Sequence, residues 1–272
     1  MNQGKKYYHS VFVVHSAFVD CVRTLFLFIL TGVFQIYFPT QCGAETMESV
    51  NTVFICSGHV KEPASKIDHK GAKSFSGKWE YEFNDDIVQY FEDESFRKND
   101  IQYYVLKAAG NIGLKERVEY ANTIVPDLYL EIHHDSAQES DIKKAMNEGE
   151  NSILWNEIQG FSLHYSEQNC CPERSKAFAQ MVADELLKHG FTPNLYHANI
   201  ENMQCVDRKR GIYNRIPPMG LYVLYNVKNP AVVIECGTII NPHEEKFLTN
   251  NDTRKKIAEA IHRSVMQYFG NN

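Results

Sequence analysis

The chain has 272 residues, a formal net charge of −6 and a pI near 6.0. Its Lys and Arg residues are scattered rather than striped, so it lacks the electrostatic footprint of a nucleic-acid-binding protein, and no nucleic-acid partner is expected. The length suits one α/β domain with a sizeable core.

The first 44 residues differ in kind from the rest. Lys5, Lys6 and Arg23 precede the apolar run TLFLFILTGVFQIYF at 24–38, which is short for a membrane span and right for the apolar region of a signal peptide. Cys42, Gly43 and Ala44 then supply small residues for a cleavage site, with an uncleaved anchor as the alternative. Residues 1–44 are therefore expected to be a signal peptide, and residues 45–272 an exported domain in the periplasm or cell envelope. Five cysteines remain after residue 44: Cys56, Cys170, Cys171, Cys205 and Cys236. An odd number in an oxidising compartment leaves at least one thiol without an intramolecular partner. Cys56 and Cys236 sit at the ends of apolar runs and read as small buried residues, while the Cys170-Cys171 pair and Cys205 could share one disulfide.

From residue 52 onward, short β-branched runs alternate with stretches of helical period. TVFIC at 52–56 reads as a buried strand, and 81–91 as a helix with Phe83, Ile87, Val88 and Phe91 on one face. IQYYVL at 101–106, GLKERVEYANTI at 113–124 and DLYLEIHH at 127–134 predict strand, helix and strand. A charged insert at about 138–157 interrupts the pattern before GFSLHY at 160–165 resumes it. The stretch 173–190 is the clearest helix, with Phe178, Val182, Leu186 and Leu187 apolar and Gly190 as its stop. LYVLYN at 221–226 and AVVIECG at 231–237 read as strands around Pro230, and the chain closes on a helix at 252–270 with Asp252 as its N-cap. This alternation implies an α/β fold: a mostly parallel twisted sheet with helices on both faces.

Ligands of such sheets bind beyond the carboxyl ends of the strands. His59 follows the first strand, His133 and His134 end the third, and Glu235 ends AVVIE, so several metal-binding or acid–base groups face one sheet edge. Catalytic zinc sites take three protein ligands and keep a fourth position open. His59 and His133 supply two, and the helix start at 79–83 offers Glu80 or Glu82 as the third.

These residues resemble the zinc-dependent N-acetylmuramoyl-L-alanine amidases of the Amidase_3 type. CSGH keeps the Gly58 and His59 of that family's Asp-Pro-Gly-His, and EYEFN matches its Glu-x-x-x-Asn through Glu80 and Asn84. Arg117, Ala121-Asn122 and EIHHDSA follow its Arg, Ala-Asn, Ser-Ile-His-x-Asn order, and VLYNVKNPAVVIECGTIINP follows its last motif. The resemblance spans about residues 52–268. It implies a single amidase domain in which His59, Glu80 and His133 hold Zn²⁺ and Glu235 is the general base. The implied substrate is peptidoglycan, cut at the amide between the lactyl group of N-acetylmuramic acid and L-alanine; the sequence names no activator protein. His134 points away from its neighbour on a strand and should not join the same ion.

Departures from the pattern matter as well. Cys56 and Ser57 replace the motif's Asp-Pro, removing a carboxylate that would orient a ligand histidine. Tyr225 stands where an Arg is common, and Asp135 where an Asn is common. Three alternatives stay open: a zinc carboxypeptidase or peptidase acting on cell-wall peptides, a non-catalytic peptidoglycan-binding protein, and a thiol hydrolase with Cys56 as nucleophile. The insert at 138–157 is expected to be helical and either a solvated surface elaboration or a lid over the cleft packed down by Trp155.

Overall fold

The computed structural model describes residues 50–96, 101–200, 203–217 and 221–270. The expected signal peptide at 1–44 lies outside them. Seven strands form one sheet: β1 (Asn51–Ser57), β2 (Ile101–Leu106), β3 (Leu128–Asp135), β4 (Ser162–Tyr165), β5 (Met203–Asp207), β6 (Ile212–Arg215) and β7 (Ala231–Thr238), in the order β2-β1-β3-β7-β4-β6-β5. Pairings β1·β2, β1·β3, β3·β7 and β4·β6 are parallel, whereas β4·β7 and β5·β6 are antiparallel.

The central strands read as continuous apolar runs because both of their faces are covered. Val53 and Ile55 of β1 and Leu130 and Ile132 of β3 pack under α1 (Glu80–Val88), α5 (Pro172–Lys188) and α8 (Asn251–Tyr268). The alternate residues, Phe54 and Cys56 of β1 and Tyr129 of β3, meet α2 (Leu114–Ile124) and α6 (Tyr222–Asn226) on the other face. The period of two along each strand thus decides which layer a side chain joins. Among the described residues no helix is long and apolar enough to cross a membrane.

The structure corrects several sequence expectations. LYVLYN is not a strand: its last five residues form α6, whose Val223 and Leu224 bury against the sheet. The β5–β6 hairpin was not anticipated. Strand β7 continues past Glu235 to Thr238, and β3 past His134 to Asp135, with an irregularity in their pairing between His133 and Asp135. Helix α8 is capped by Asn250, whose side chain accepts from the Asp252 and Thr253 amides, rather than by Asp252. All five described cysteines are free thiols, so Cys205 shares no disulfide with Cys170 or Cys171. Cys56 and Cys236 are buried as expected.

The insert is helical, forming α3 (Glu139–Glu148) and α4 (Leu154–Glu157), and Trp155 does pack it down, at 2 % exposure. It packs against α7 (Pro242–Leu248) and its N-terminal flank, where the Asn241 side chain donates to the Trp155 and Ile158 carbonyls and His243 Nε2 meets the Glu150 carbonyl. None of residues 138–157 lines the main cleft, so the lid expectation is not met.

Candidate active site and metal centre

Strands β1, β3 and β7 are adjacent and parallel, so their carboxyl ends bring three chain segments together. Beyond β1 the chain turns sharply, and His59 adopts a left-handed φ of 68°. For a non-glycine residue that conformation costs about 1–3 kcal/mol and persists only where the surroundings over-determine it. Here they do: Asn84 Nδ2 donates to the Gly58 carbonyl (3.2 Å), and Arg117 donates to the carbonyls of Ser57 (3.0 Å) and His59 (3.4 Å). Gly58 must lack a Cβ, because one would come within 2.2 Å of the His133 ring. A Cβ at Gly71, whose φ is 81°, would come within 2.5 Å of Glu80 and 2.6 Å of the His59 ring.

His59 Nε2 and His133 Nδ1 each lie 3.0 Å from Glu80 Oε1. The three groups offer ligand atoms all within 4.8 Å of one another, a set of two imidazoles and one carboxylate that fits a divalent zinc-type ion. Glu80 projects from the first turn of α1 over the sheet edge, as its position at a helix start requires. Burial alone would raise its carboxyl, but His59 and His133 against it hold it well below the usual carboxylate range. Glu82 is used otherwise: its carboxylate accepts from the Trp79 amide (2.8 Å) and caps α1. That removes it from the candidate ligands. His134 points to the opposite face, with Nδ1 2.8 Å from Asn84 Oδ1, and burial pushes its ring down to about 3.

Glu235 is the register partner of His133 across β3 and β7 and lines the same cleft. Its Oε2 is buried and has no hydrogen-bond partner among the described residues. A buried carboxylate oxygen left unpaired is costly unless a ligand, ion or proton compensates it. Burial drives its carboxyl well above the usual range, against the pull of the nearby His133, and Asp135 and Glu80 push in the same direction as burial. Burial and the neighbouring carboxylates thus oppose ionisation of Glu235.

Behind the histidines lies a buried network whose roles sequence reading left unassigned. Arg117 Nη1 donates to Glu131 Oε1 (2.5 Å), with both side chains 3 % exposed. Tyr129 donates to Glu131 Oε2 (2.8 Å), and His133 Nε2 lies 3.2 Å from Glu131 Oε1. Burial opposes ionisation of Glu131, but Arg117 and His133 outweigh it and bring the carboxyl down to about 2. The Cys56 thiol donates into this network through Tyr129 (3.2 Å) and is pushed up to about 12 by burial and by Glu131. It is fully buried and does not line the cleft, so it cannot serve as an exposed thiolate nucleophile.

The cleft has a volume of about 490 Å³, within the usual range for a small-molecule or polymer-segment site. Besides the residues above, its walls include His69, Arg215, Leu221 and Tyr222, none of which sequence reading selected. His69 comes from the loop after β1, with its ring centroid 4.4 Å from that of His59. Tyr225 donates to the Arg215 carbonyl (3.0 Å), and Asp135 accepts from Asn194 Nδ2 (3.0 Å) and sits 2.8 Å from His197 Nε2. Both departures from the family pattern therefore have structural partners.

Comparison with known proteins bears on family and fold. A germination-specific N-acetylmuramoyl-L-alanine amidase of Bacillus subtilis is 26 % identical over 156 residues, covering 57 % of this chain and 50 % of the relative. The chain thus matches about half the length of that curated relative. The fold is that of the N-acetylmuramyl-L-alanine amidase of Mycobacterium smegmatis (TM-score 0.62, 19 % identity, covering 82 % of this chain and 99 % of that one). It is shared by an N-acetylmuramoyl-L-alanine amidase of Clostridium difficile 630 (TM-score 0.61, 24 % identity, 82 % and 99 %). A family model for N-acetylmuramoyl-L-alanine amidases matches residues 53–267, most of the chain, and the protein belongs to that family.

Proposed function

We propose that the protein is a zinc-dependent peptidoglycan hydrolase that cleaves the amide between the lactyl group of N-acetylmuramic acid and the L-alanine of the stem peptide. The observation that carries this reading is the convergence of His59, Glu80 and His133 with the unpartnered Glu235 Oε2 in one open cleft. His59 Nε2, Glu80 and His133 Nδ1 would hold the ion. When bound, zinc supplies a Lewis acid that polarises a carbonyl and lowers the pKa of water to about 7.

Glu235 is the general base and acid: its carboxylate takes the proton of the attacking water and returns it to the amine nitrogen of L-alanine as the amide breaks. Arg215 and Glu235 put opposite charges in the same cleft, while Leu221 and Tyr222 give it an apolar wall. Arg117, Glu131 and Asn84 position the ligands through their hydrogen bonds to the His59 turn and to His133. Because peptidoglycan lies outside the cytoplasmic membrane, the reading requires export, in keeping with the signal peptide expected at 1–44.

Digestion of purified peptidoglycan, with and without chelator, tests the proposal. Mass analysis should find free stem peptides beginning at L-alanine, lost with chelator and recovered with Zn²⁺. Products shortened at internal or terminal peptide bonds would instead identify a peptidase.

A further inference from the structure

The carboxylate that the family motif carries two residues before Gly-His is missing here, because Cys56 occupies its place. Cys56 and Glu131 are register partners across the parallel strands β1 and β3. Such partners point to one face of the sheet. Both side chains reach the Tyr129 hydroxyl, Cys56 Sγ at 3.2 Å and Glu131 Oε2 at 2.8 Å, so positions 56 and 131 address the same buried volume beside Arg117. Residue 131 also stands where the family motif Ser-Ile-His has its Ser. Against the motif the chain resembles, position 56 carries a thiol in place of a carboxylate, and its cross-strand neighbour carries a carboxylate.

We propose that Glu131 supplies, from the neighbouring strand, the carboxylate that Cys56 lacks, and that it is the positioning residue that fixes His133 for metal binding. The inference rests on the metal-centre reading above. Glu131 lies two residues before His133, and alternation along a strand puts both on one face. With His133 Nε2 donating to Glu131 Oε1 (3.2 Å), the lone pair of Nδ1 is left facing Glu80 and His59. Arg117 holds Glu131 Oε1 and Tyr129 holds Oε2, so the carboxylate has one orientation and the imidazole inherits it. A Glu131 that only neutralised Arg117 would not need to reach the ring of His133.

The test is zinc affinity, measured by competition with a chromophoric chelator on the purified full chain. Glu131→Ser should weaken zinc binding about 10–100-fold, the usual effect of losing a partner behind a ligand histidine. The double variant Cys56→Asp, Glu131→Ser returns a carboxylate to the same volume from β1 and should recover most of that loss. Wild-type affinity in Glu131→Ser overturns the proposal, as does a folded double variant that binds no better than the single one. If Glu131→Ser does not fold, the double variant decides alone: near-wild-type zinc affinity supports the exchange, and weakened affinity or failure to fold overturns it. A lower melting temperature of metal-free Glu131→Ser with unchanged zinc affinity would make Glu131 merely structural, also against the proposal. A wild-type protein that binds no zinc defeats the metal-centre reading itself, which separates the two failures.

Discussion

Replacing Arg117 by Met should expose how strongly the buried network holds the site. Arg117 donates to Glu131 and to the carbonyls of Ser57 and His59, and its side chain is 3 % exposed. The substitution leaves the Glu131 carboxylate, equally buried, with only Tyr129 and His133 as partners. Breaking a buried ion pair from one side costs about 3–5 kcal/mol. For a domain of this size that is a fall in melting temperature of roughly 10 °C. The pH dependence gives the sharper check. The Glu131 carboxyl is held at about 2 in the folded protein against an ordinary value of 4.5. Its stabilisation is therefore complete above about 4.5 and is lost as pH falls through about 2. In the Met variant burial raises this carboxyl instead, so protonation relieves the variant before it harms the wild type. Urea unfolding of metal-free protein should show the gap between the two at its widest near pH 7 and narrower near pH 4. Arg117→Met combined with Glu131→Met should cost less than Arg117→Met alone, because no unpaired charge remains. A single-variant loss under about 1 kcal/mol, or a gap equal at both pH values, would refute the reasoning.

Other consequences can be checked separately. Glu235→Gln should keep the fold and lower turnover at least about a hundredfold, the scale of a lost general acid–base group; near-normal turnover would move the base elsewhere. Gly58→Ala forces a Cβ to within 2.2 Å of the His133 ring and should sharply reduce bound zinc at little cost in secondary structure, read by elemental analysis and circular dichroism. Alkylation of the native protein should label the exposed Cys170 and spare Cys56, without the loss of activity that a chelator causes; mass mapping and an activity assay decide it. Trp155→Ala should destabilise by about 3–5 kcal/mol while leaving the Michaelis constant for a small soluble muropeptide unchanged, since the insert does not line the cleft.

The strands that carry the site were legible because their chemistry is local. Central parallel strands must be apolar on both faces, so β1, β3 and β7 appear as largely apolar runs, with His59, His133 and Glu235 near their carboxyl ends. Helix α6 was not legible: Tyr222–Asn226 is too short to show a helical period, and its Tyr, Val and Leu residues favour strand by composition alone. The β5–β6 hairpin hid for a related reason, as two short, partly polar strands around Asp207–Gly211 give little alternation to read. In NNDT at 250–253, Asn250, Asn251 and Asp252 are all good caps, and only the backbone turn selects Asn250. The Arg117–Glu131–His133 chain is a property of strand register and of helix α2 crossing behind β1, neither of which appears in a linear pattern. Insert packing was missed because Trp155 announces burial without saying against what.

The central claim is that His59, Glu80 and His133 form a single zinc centre served by Glu235. Anomalous diffraction recorded on either side of the zinc absorption edge, from crystals of the zinc-loaded protein, tests it most directly. The account predicts one strong peak bonded by His59 Nε2, a Glu80 carboxylate oxygen and His133 Nδ1, on the side of the cleft that faces Glu235. A peak held by His134 or His69 instead, or no peak in this cleft, would contradict it.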